Sequence, residues 1–340
     1  MESKTEQIKT ASAVAGNRTS FLTNLFLKYG VIIAIFVLFV IFSIISPSFM
    51  TVGNIFNIIN HGSIIGILAL GLTAVIMAGE FDISFAANAT LCAIVSIALL
   101  IGGLGLIPAW LLTLAIGIGI SCLNGFIIVV IGVPSFVTTV GMMAILLGVA
   151  NWVTKGAVIY SANLPDAFKY MGRYMVAGVI PSPVIIFFAI SMIMIFLLEY
   201  TYIGRNMYAA GGNLEAARRV GINVKKMKFL AFFFIGIMAG LAGIIIGSKF
   251  GAGNPRIESS FQFPAIVSAY VGAVSLKEGL PNPMGTVTAV ILVSILENGL
   301  LLLGAPLFVR EMALGLMMLV AVSMIATMKN GQIAAVKVNM

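Results

Sequence analysis

Apolar residues run through this chain in long unbroken blocks, not in the i, i+3, i+4 stripes of a surface helix. Ten blocks approach the roughly 20 apolar residues that a helix needs to cross the hydrocarbon core of a bilayer. They cover residues 30–46, 56–77, 84–101, 107–131, 136–154, 178–199, 228–248, 262–276, 285–304 and 308–327. The pattern predicts an all-α integral membrane protein of about ten transmembrane helices, with broken or re-entrant segments. Residues 262–276 are the weakest block, short and carrying Pro264 and Gly272. The expected organisation is a tail over 1–29, one membrane domain over 30–327 and a second tail over 328–340.

The polar interruptions are as informative as the blocks. Residues 200–227 are basic and lie between the sixth and seventh blocks. Within them Leu214 to Val220 has helix-forming composition, and Gly221 ends it. A compact helix bearing Arg218 and Arg219, held at the membrane surface by two spanning helices, is suited to docking a soluble partner. Residues 155–177 form the longest loop on the other side, with Lys155, Asp166, Lys169, Arg173, Tyr170 and Tyr174. A loop of that kind is ordinarily a connector; it can also cap an opening or receive an external partner.

Composition agrees with the pattern. The chain of 340 residues is 61% hydrophobic and 9% charged, against about 25% charged in soluble domains. A net charge of +8 does not indicate nucleic-acid binding, because the basic residues sit in loops between apolar blocks. They orient the chain instead. With ten crossings and the N-terminus inside, the inner face holds Lys4, Lys9, Arg18, Lys28, the six basic residues of 200–228, Lys277, Lys329 and Lys337, which is thirteen of 19. Both termini and the 200–227 loop are then cytoplasmic. Cys92 and Cys122 lie inside apolar blocks and form no metal or disulfide pattern. The small-residue patch Ala11 to Gly16 precedes the first block, so that block is expected to remain as an anchor.

Several chemistries are missing. There is no G-x-x-x-x-G-K-[ST] loop, so ATP hydrolysis by this chain alone is not expected. The single histidine, His61, excludes H-E-x-x-H zinc sites, and no G-x-S-x-G elbow occurs. The chain is read as a non-enzyme with no cofactor or metal of its own. Polar residues inside the blocks are candidates for a solute path: Asn60 and His61, Asn88, Asn124, and Glu297 with Asn298, the carboxylate being the most costly at about 2.5–3.5 kcal/mol. Asn57 and Thr90 share this chemistry. Uncharged donors and acceptors suit a neutral polyol, and equally they join helices by hydrogen bonds. Asp82 is placed to cap the helix after it.

Read together, these residues resemble a known family. Gly204-Arg205, Ala210-Gly211-Gly212-Asn213, Glu215-Ala216-Ala217-Arg218 and Gly221-Ile222-Asn223-Val224 resemble the cytoplasmic coupling loop of monosaccharide ABC importer permeases of the ribose type. Gly79 to Ser84, Asn124-Gly125, Val133-Pro134-Ser135-Phe136, Gly285-Thr286 and Asn298-Gly299 resemble further motifs of that family, over about residues 50–327. The resemblance implies a homodimeric permease in a prokaryotic cytoplasmic (inner) membrane. It implies ABC ATPase subunits that hydrolyse ATP with Mg on the cytoplasmic side, and an extracytoplasmic sugar-binding protein. The coupling helix would be carried by Glu215, Ala216, Ala217, Arg218, Arg219, Gly221 and Ile222. Glu80 and the stretch from Lys277 to Pro283 depart from the family's glycine- and serine-rich pattern, near where an ATPase would dock. A secondary transporter or channel working alone is the alternative, and it leaves Glu215–Ile222 without a role.

Overall fold

A computed structural model describes residues 29–277 and 279–338, with the side chains described as far as residue 327. All but the last residue of the predicted N-terminal tail lies outside these, as do Glu278 and the side chains of Lys329 and Lys337. The long helices are α1 (Tyr29–Ile45), α2 (Val52–Met77), α3 (Phe85–Ile101), α4 (Leu106–Phe126), α5 (Ser135–Thr154) and α7 (Ser182–Ile195), followed by α10 (Val224–Phe250), α11 (Ser259–Val274), α12 (Pro283–Leu302) and α13 (Leu307–Val338). Short helices α6 (Asp166–Arg173), α8 (Tyr202–Gly212) and α9 (Leu214–Arg219) lie in the connections. Both α4 and α7 end in a π turn, at Ile127–Ile131 and Phe196–Tyr200.

Helix is the form these sequences must take in lipid, because only there does each segment satisfy its own backbone groups. Among the described residues seven helices are long and apolar enough to cross a membrane, while α1 and α3 are shorter apolar helices. The 16 residues of α11 give about 24 Å at 1.5 Å per residue, short of the roughly 30 Å hydrocarbon core. Pro264, which lacks a backbone donor, lies inside it. The weak eighth block is thus one short helix ending on the N-terminus of α12, where Gly272 faces the Thr286 nitrogen.

The centre is α2 and α10, whose apolar windows are 83% and 72% buried, against 28% for α4 and α5 and 11% for α13. A row of glycines makes the central packing possible. On α10, Gly236 and Gly240 meet the backbone of α4 at Ile118, Gly117 and Leu114, and Gly243 and Gly247 meet α3 at Ala89, Cys92, Ala93 and Ser96. Small residues let backbones approach to this degree where no water drives association. Polar side chains then fix the pairs. Asn88 donates to the Gly117 carbonyl at 2.9 Å and to Ser121 Oγ at 3.1 Å. Thr73 and Thr286 hydroxyls lie 2.7 Å apart between α2 and α12.

The contacts define two ends. At one lie the turn 78–84, the α7–α10 connection and the loop 275–282. At the far end the predicted loop 155–177 is folded. Strand β1 (Ile159–Tyr160) pairs antiparallel with β4 (Ala252–Gly253), and β2 (Met175–Val176) with β3 (Ile180–Pro181). Helix α6 is pinned to the end of α10 by Ser248 Oγ donating to the Phe168 carbonyl, 2.5 Å, and Arg173 Nε to the Lys249 carbonyl, 2.8 Å.

Gly243→Leu places a side chain into the Ala89 carbonyl and Cys92, so it should lower stability by about 1–3 kcal/mol. Gly148→Leu, with nothing within 4 Å of its added Cβ, should be near neutral. Thermal unfolding of the two purified variants in detergent checks the difference.

Candidate functional site

The α7–α10 connection is built by three side-chain caps. Thr201 accepts the Ile203 N–H to start α8, Asn213 accepts the Ala216 N–H to start α9, and Asn223 accepts the Lys226 N–H to start α10. Such caps satisfy donors that the first helical turn leaves free. Helix α9 closes at Gly221, whose φ of +83° suits glycine; its N–H donates to Arg218 and that of Ile222 to Ala217. Glu215 in the first turn and Arg218 and Arg219 in the last oppose the helix dipole favourably. Ala217 is buried and Ile222 half-buried against the core, while Glu215, Ala216, Arg218, Arg219 and Gly221 are exposed. Two apolar contacts thus hold down a short helix that presents its charges outward.

Sequence reading placed helix only from Leu214, whereas α8 precedes it as eleven further helical residues. Helix α8 is what joins α9 to the bundle. Gly211 packs on the Met77 carbonyl and, with an ideal Cβ only 2.7 Å away, on the Gly79 nitrogen. Gly79 itself has φ +78°, and its own Cβ would sit 2.9 Å from Gly211 Cα. A side chain at either position would push α8 off the turn. Beside this contact Lys228 Nζ of α10 lies 2.5 Å from Glu80 Oε1, both side chains largely buried. Lys277 pairs with Glu199, and the Tyr208 hydroxyl donates to the Pro281 carbonyl. The departures expected at Glu80 and at 277–283 therefore meet the α7–α10 connection directly. Glu199, in the π turn that ends α7, is itself largely buried.

Asp82 is fully buried in the same turn. It accepts both the N–H and the hydroxyl of Ser84 at 2.7 and 2.6 Å, and Asn124 donates to that hydroxyl at 2.9 Å. The expected cap is thus a local turn that also ties α4. Burial pushes the Asp82 carboxyl up from 3.8 to about 6, against the lowering effect of the Ser84 bonds.

The other polar residues separate into two groups. Asn88 and Asn124 are interior fasteners of α3 and of the 78–84 turn to α4. Asn298 exchanges two hydrogen bonds with Asn54, 2.9 and 3.0 Å, and so joins α12 to α2. Asn60 leaves its amide oxygen buried without a partner. His61 and Glu297 come together, Nε2 to Oε2 at 3.4 Å without a hydrogen bond, and line a cavity of 540 Å3 at the far end. Gln262, Arg310 and Glu311 share that cavity and were missed. Ionisable residues at the start of an apolar block were the available signal for the last two.

Comparison with known proteins supplies the family. Residues 54–322 match the family of the branched-chain amino acid transport system permease component. The chain belongs to that permease family. It is 32% identical to the ribose import permease protein of Escherichia coli strain K12 over 92% of this chain and 98% of the relative. It is 32% identical to the ribose import permease protein of Bacillus subtilis over 94% and 97%. The autoinducer 2 import system permease protein of Photorhabdus luminescens is 30% identical over 85% and 86%. No solved structure matches the chain at a significant level. A permease with seven helices suited to crossing among its described residues is a multi-pass membrane protein, and the expectation of a mostly helical membrane chain holds at that level.

Two outcomes follow from the turn. Glu80→Gln strands the Lys228 ammonium and should cost about 2 kcal/mol, below the 3–5 of a fully buried pair because Lys228 keeps some solvent. The exchange Glu80→Lys with Lys228→Glu should recover most of it in thermal unfolding. For Asp82 the folded pKa is above the unfolded one, so its contribution favours folding below about pH 4 and is lost as pH rises through about 6. The loss totals about 3 kcal/mol. Stability measured from pH 4 to 7 should fall in the wild type relative to Asp82→Asn.

Proposed function

We propose that this chain is the membrane-spanning permease subunit of an ATP-binding-cassette importer that carries a monosaccharide or similar neutral polyol into the cytoplasm. The observation that carries this reading is the exposed α9 element, held by α8 on the turn after α2, in a chain whose near-full-length relatives are named ribose import permeases. An ABC ATPase subunit, which hydrolyses ATP with Mg, docks on Glu215, Arg218 and Arg219 from the cytoplasm. Ala216 and Gly221 keep the exposed face small enough for close approach, and Ala217 and Ile222 anchor the helix.

The reading includes ten crossings in a prokaryotic inner membrane, with 1–29 and 328–340 cytoplasmic, a second copy of the permease, and an extracytoplasmic sugar-binding protein on the folded far-end loops. Motion of α9 has a solid route inward. It passes through α8 to Gly79 and Glu80, and from that turn to α3 and α10. Alternating access requires such a two-position element biased by a partner. A stand-alone channel or secondary transporter gives the exposed charges of α9 no task.

Arg218→Glu should leave the subunit inserted and folded while weakening ATPase association by about tenfold, the equivalent of about 1.4 kcal/mol. ATP-dependent sugar uptake should fall with it. Co-purification of the ATPase and uptake into proteoliposomes measure the two. Undiminished association and uptake in both Arg218→Glu and Glu215→Ala would remove α9 from the docking surface.

A further inference from the structure

The cavity at the far end lies inside a single subunit, between the first half of α2, the start of α11, the end of α12 and the start of α13. Its volume, 540 Å3, falls within the roughly 300–1,000 Å3 of small-molecule sites. Two of its lining atoms lack partners. Glu297 Oε2 and Arg310 Nε are buried with no hydrogen bond. Among the described residues neither Arg310 nor Glu311 forms an ion pair. Buried polar atoms are nearly always satisfied, by protein, water or ligand.

The chemistry of the lining narrows the ligand. Two carboxylates against one guanidinium, with the imidazole neutral, leave one net negative charge, so an anion is disfavoured and a cation gains only a single charge. They offer acceptors and donors together, as a ring bearing several hydroxyls requires. Phe263 and the His61 ring add flat apolar surface. Gln262 extends the site: its amide donates to the Ile83 carbonyl at 3.1 Å. Through that bond the chamber touches the turn on which α8 rests.

We infer that this chamber is a transient subsite for a neutral hydroxylated solute, one within each subunit, with Glu297, Arg310, Glu311 and Gln262 as its hydrogen-bonding groups. The inference rests on the import function proposed above and adds the place and chemistry of solute contact. A subsite on a transport route binds weakly, so an occupancy measurement suits it better than an affinity measurement.

The test places a cysteine at the chamber wall, Ser260→Cys with Cys122→Ser, in the full chain assembled with its ATPase in lipid nanodiscs. Labelling by a charged maleimide is followed with D-ribose, D-xylose or D-galactose, and with phosphate or choline as charged controls. At twice its dissociation constant a sugar that fills the chamber slows labelling about threefold. The controls should not, and Glu311→Gln, at an exposed position that does not threaten folding, or Arg310→Gln should abolish the protection. Absence of protection by every sugar, equal protection by the controls, or protection that survives both substitutions overturns the subsite. ATP-dependent uptake of the same sugars by the wild-type assembly separates the two readings. Uptake without protection removes the subsite and keeps import; protection without uptake keeps the subsite and removes import; neither removes both.

Discussion

Close backbone contact between α10 and its neighbours is the constraint on which this structure depends. Lipid gives no hydrophobic reward for bringing two apolar helices together, so association rests on van der Waals contact and on a few hydrogen bonds. Gly236, Gly240, Gly243 and Gly247 supply the contact by removing every side chain from one band of α10. Asn88 adds its hydrogen bonds where that band brings α3 and α4 side by side. Because the interior is close-packed, a shift of α10 is felt at once by α2, α3 and α4.

That rigidity gives the loops their significance. The turn 78–84 is the seam between α2 and α3, and it gathers Gly211 of α8, Lys228 of α10, Asn124 of α4 through Ser84, and Gln262 of α11 through Ile83. A displacement of α8 therefore reaches α4, α10 and α11, besides the flanking α2 and α3, within one turn of chain. The two helices that run to this end without a tight finish, α4 and α7, close in π turns. Wider turns of this kind relax the regular ladder and recur at functional sites. Here the π turn of α7 leads directly into α8, which holds α9 without burying it.

The fold was legible to the extent that lipid solvation writes it into composition. Unbroken apolar blocks located the long helices to within a few residues, except that α13 runs on to Val338 past its block's end at 327, and Pro264 with the shortness of its block marked α11 as the weakest of them. Gly221 ended α9 as its φ of +83° requires. What escaped was local order between blocks. Helix α8 was hidden because Gly204, Gly211 and Gly212 read as turn residues; two of them instead allow contact with Leu198 and with Gly79. Ion pairs such as Glu80–Lys228, 148 residues apart, leave no local signature. Of the candidate path residues, the sequence could name the polar groups but not distinguish those turned toward a neighbour helix, Asn88, Asn124 and Asn298, from those turned toward open volume, His61 and Glu297.

The same distinction separates the two ends of the molecule. At the end bearing α9 the largely buried carboxylates beneath that helix are matched, Glu80 with Lys228 and Glu199 with Lys277. A matched pair in a poorly solvated place resists separation, because parting it strands both charges. Such pairs suit parts that must move together. At the far end Glu297 Oε2 and Arg310 Nε are buried without partners beside an open volume, which the exposed Glu311 also lines. Unmatched groups of that kind are costly unless something hydrogen-bonds them, and a solute in passage is one thing that can. Paired charge where force would be passed on, and unpaired charge where a ligand would be met, is the division of labour that the proposed transport cycle needs.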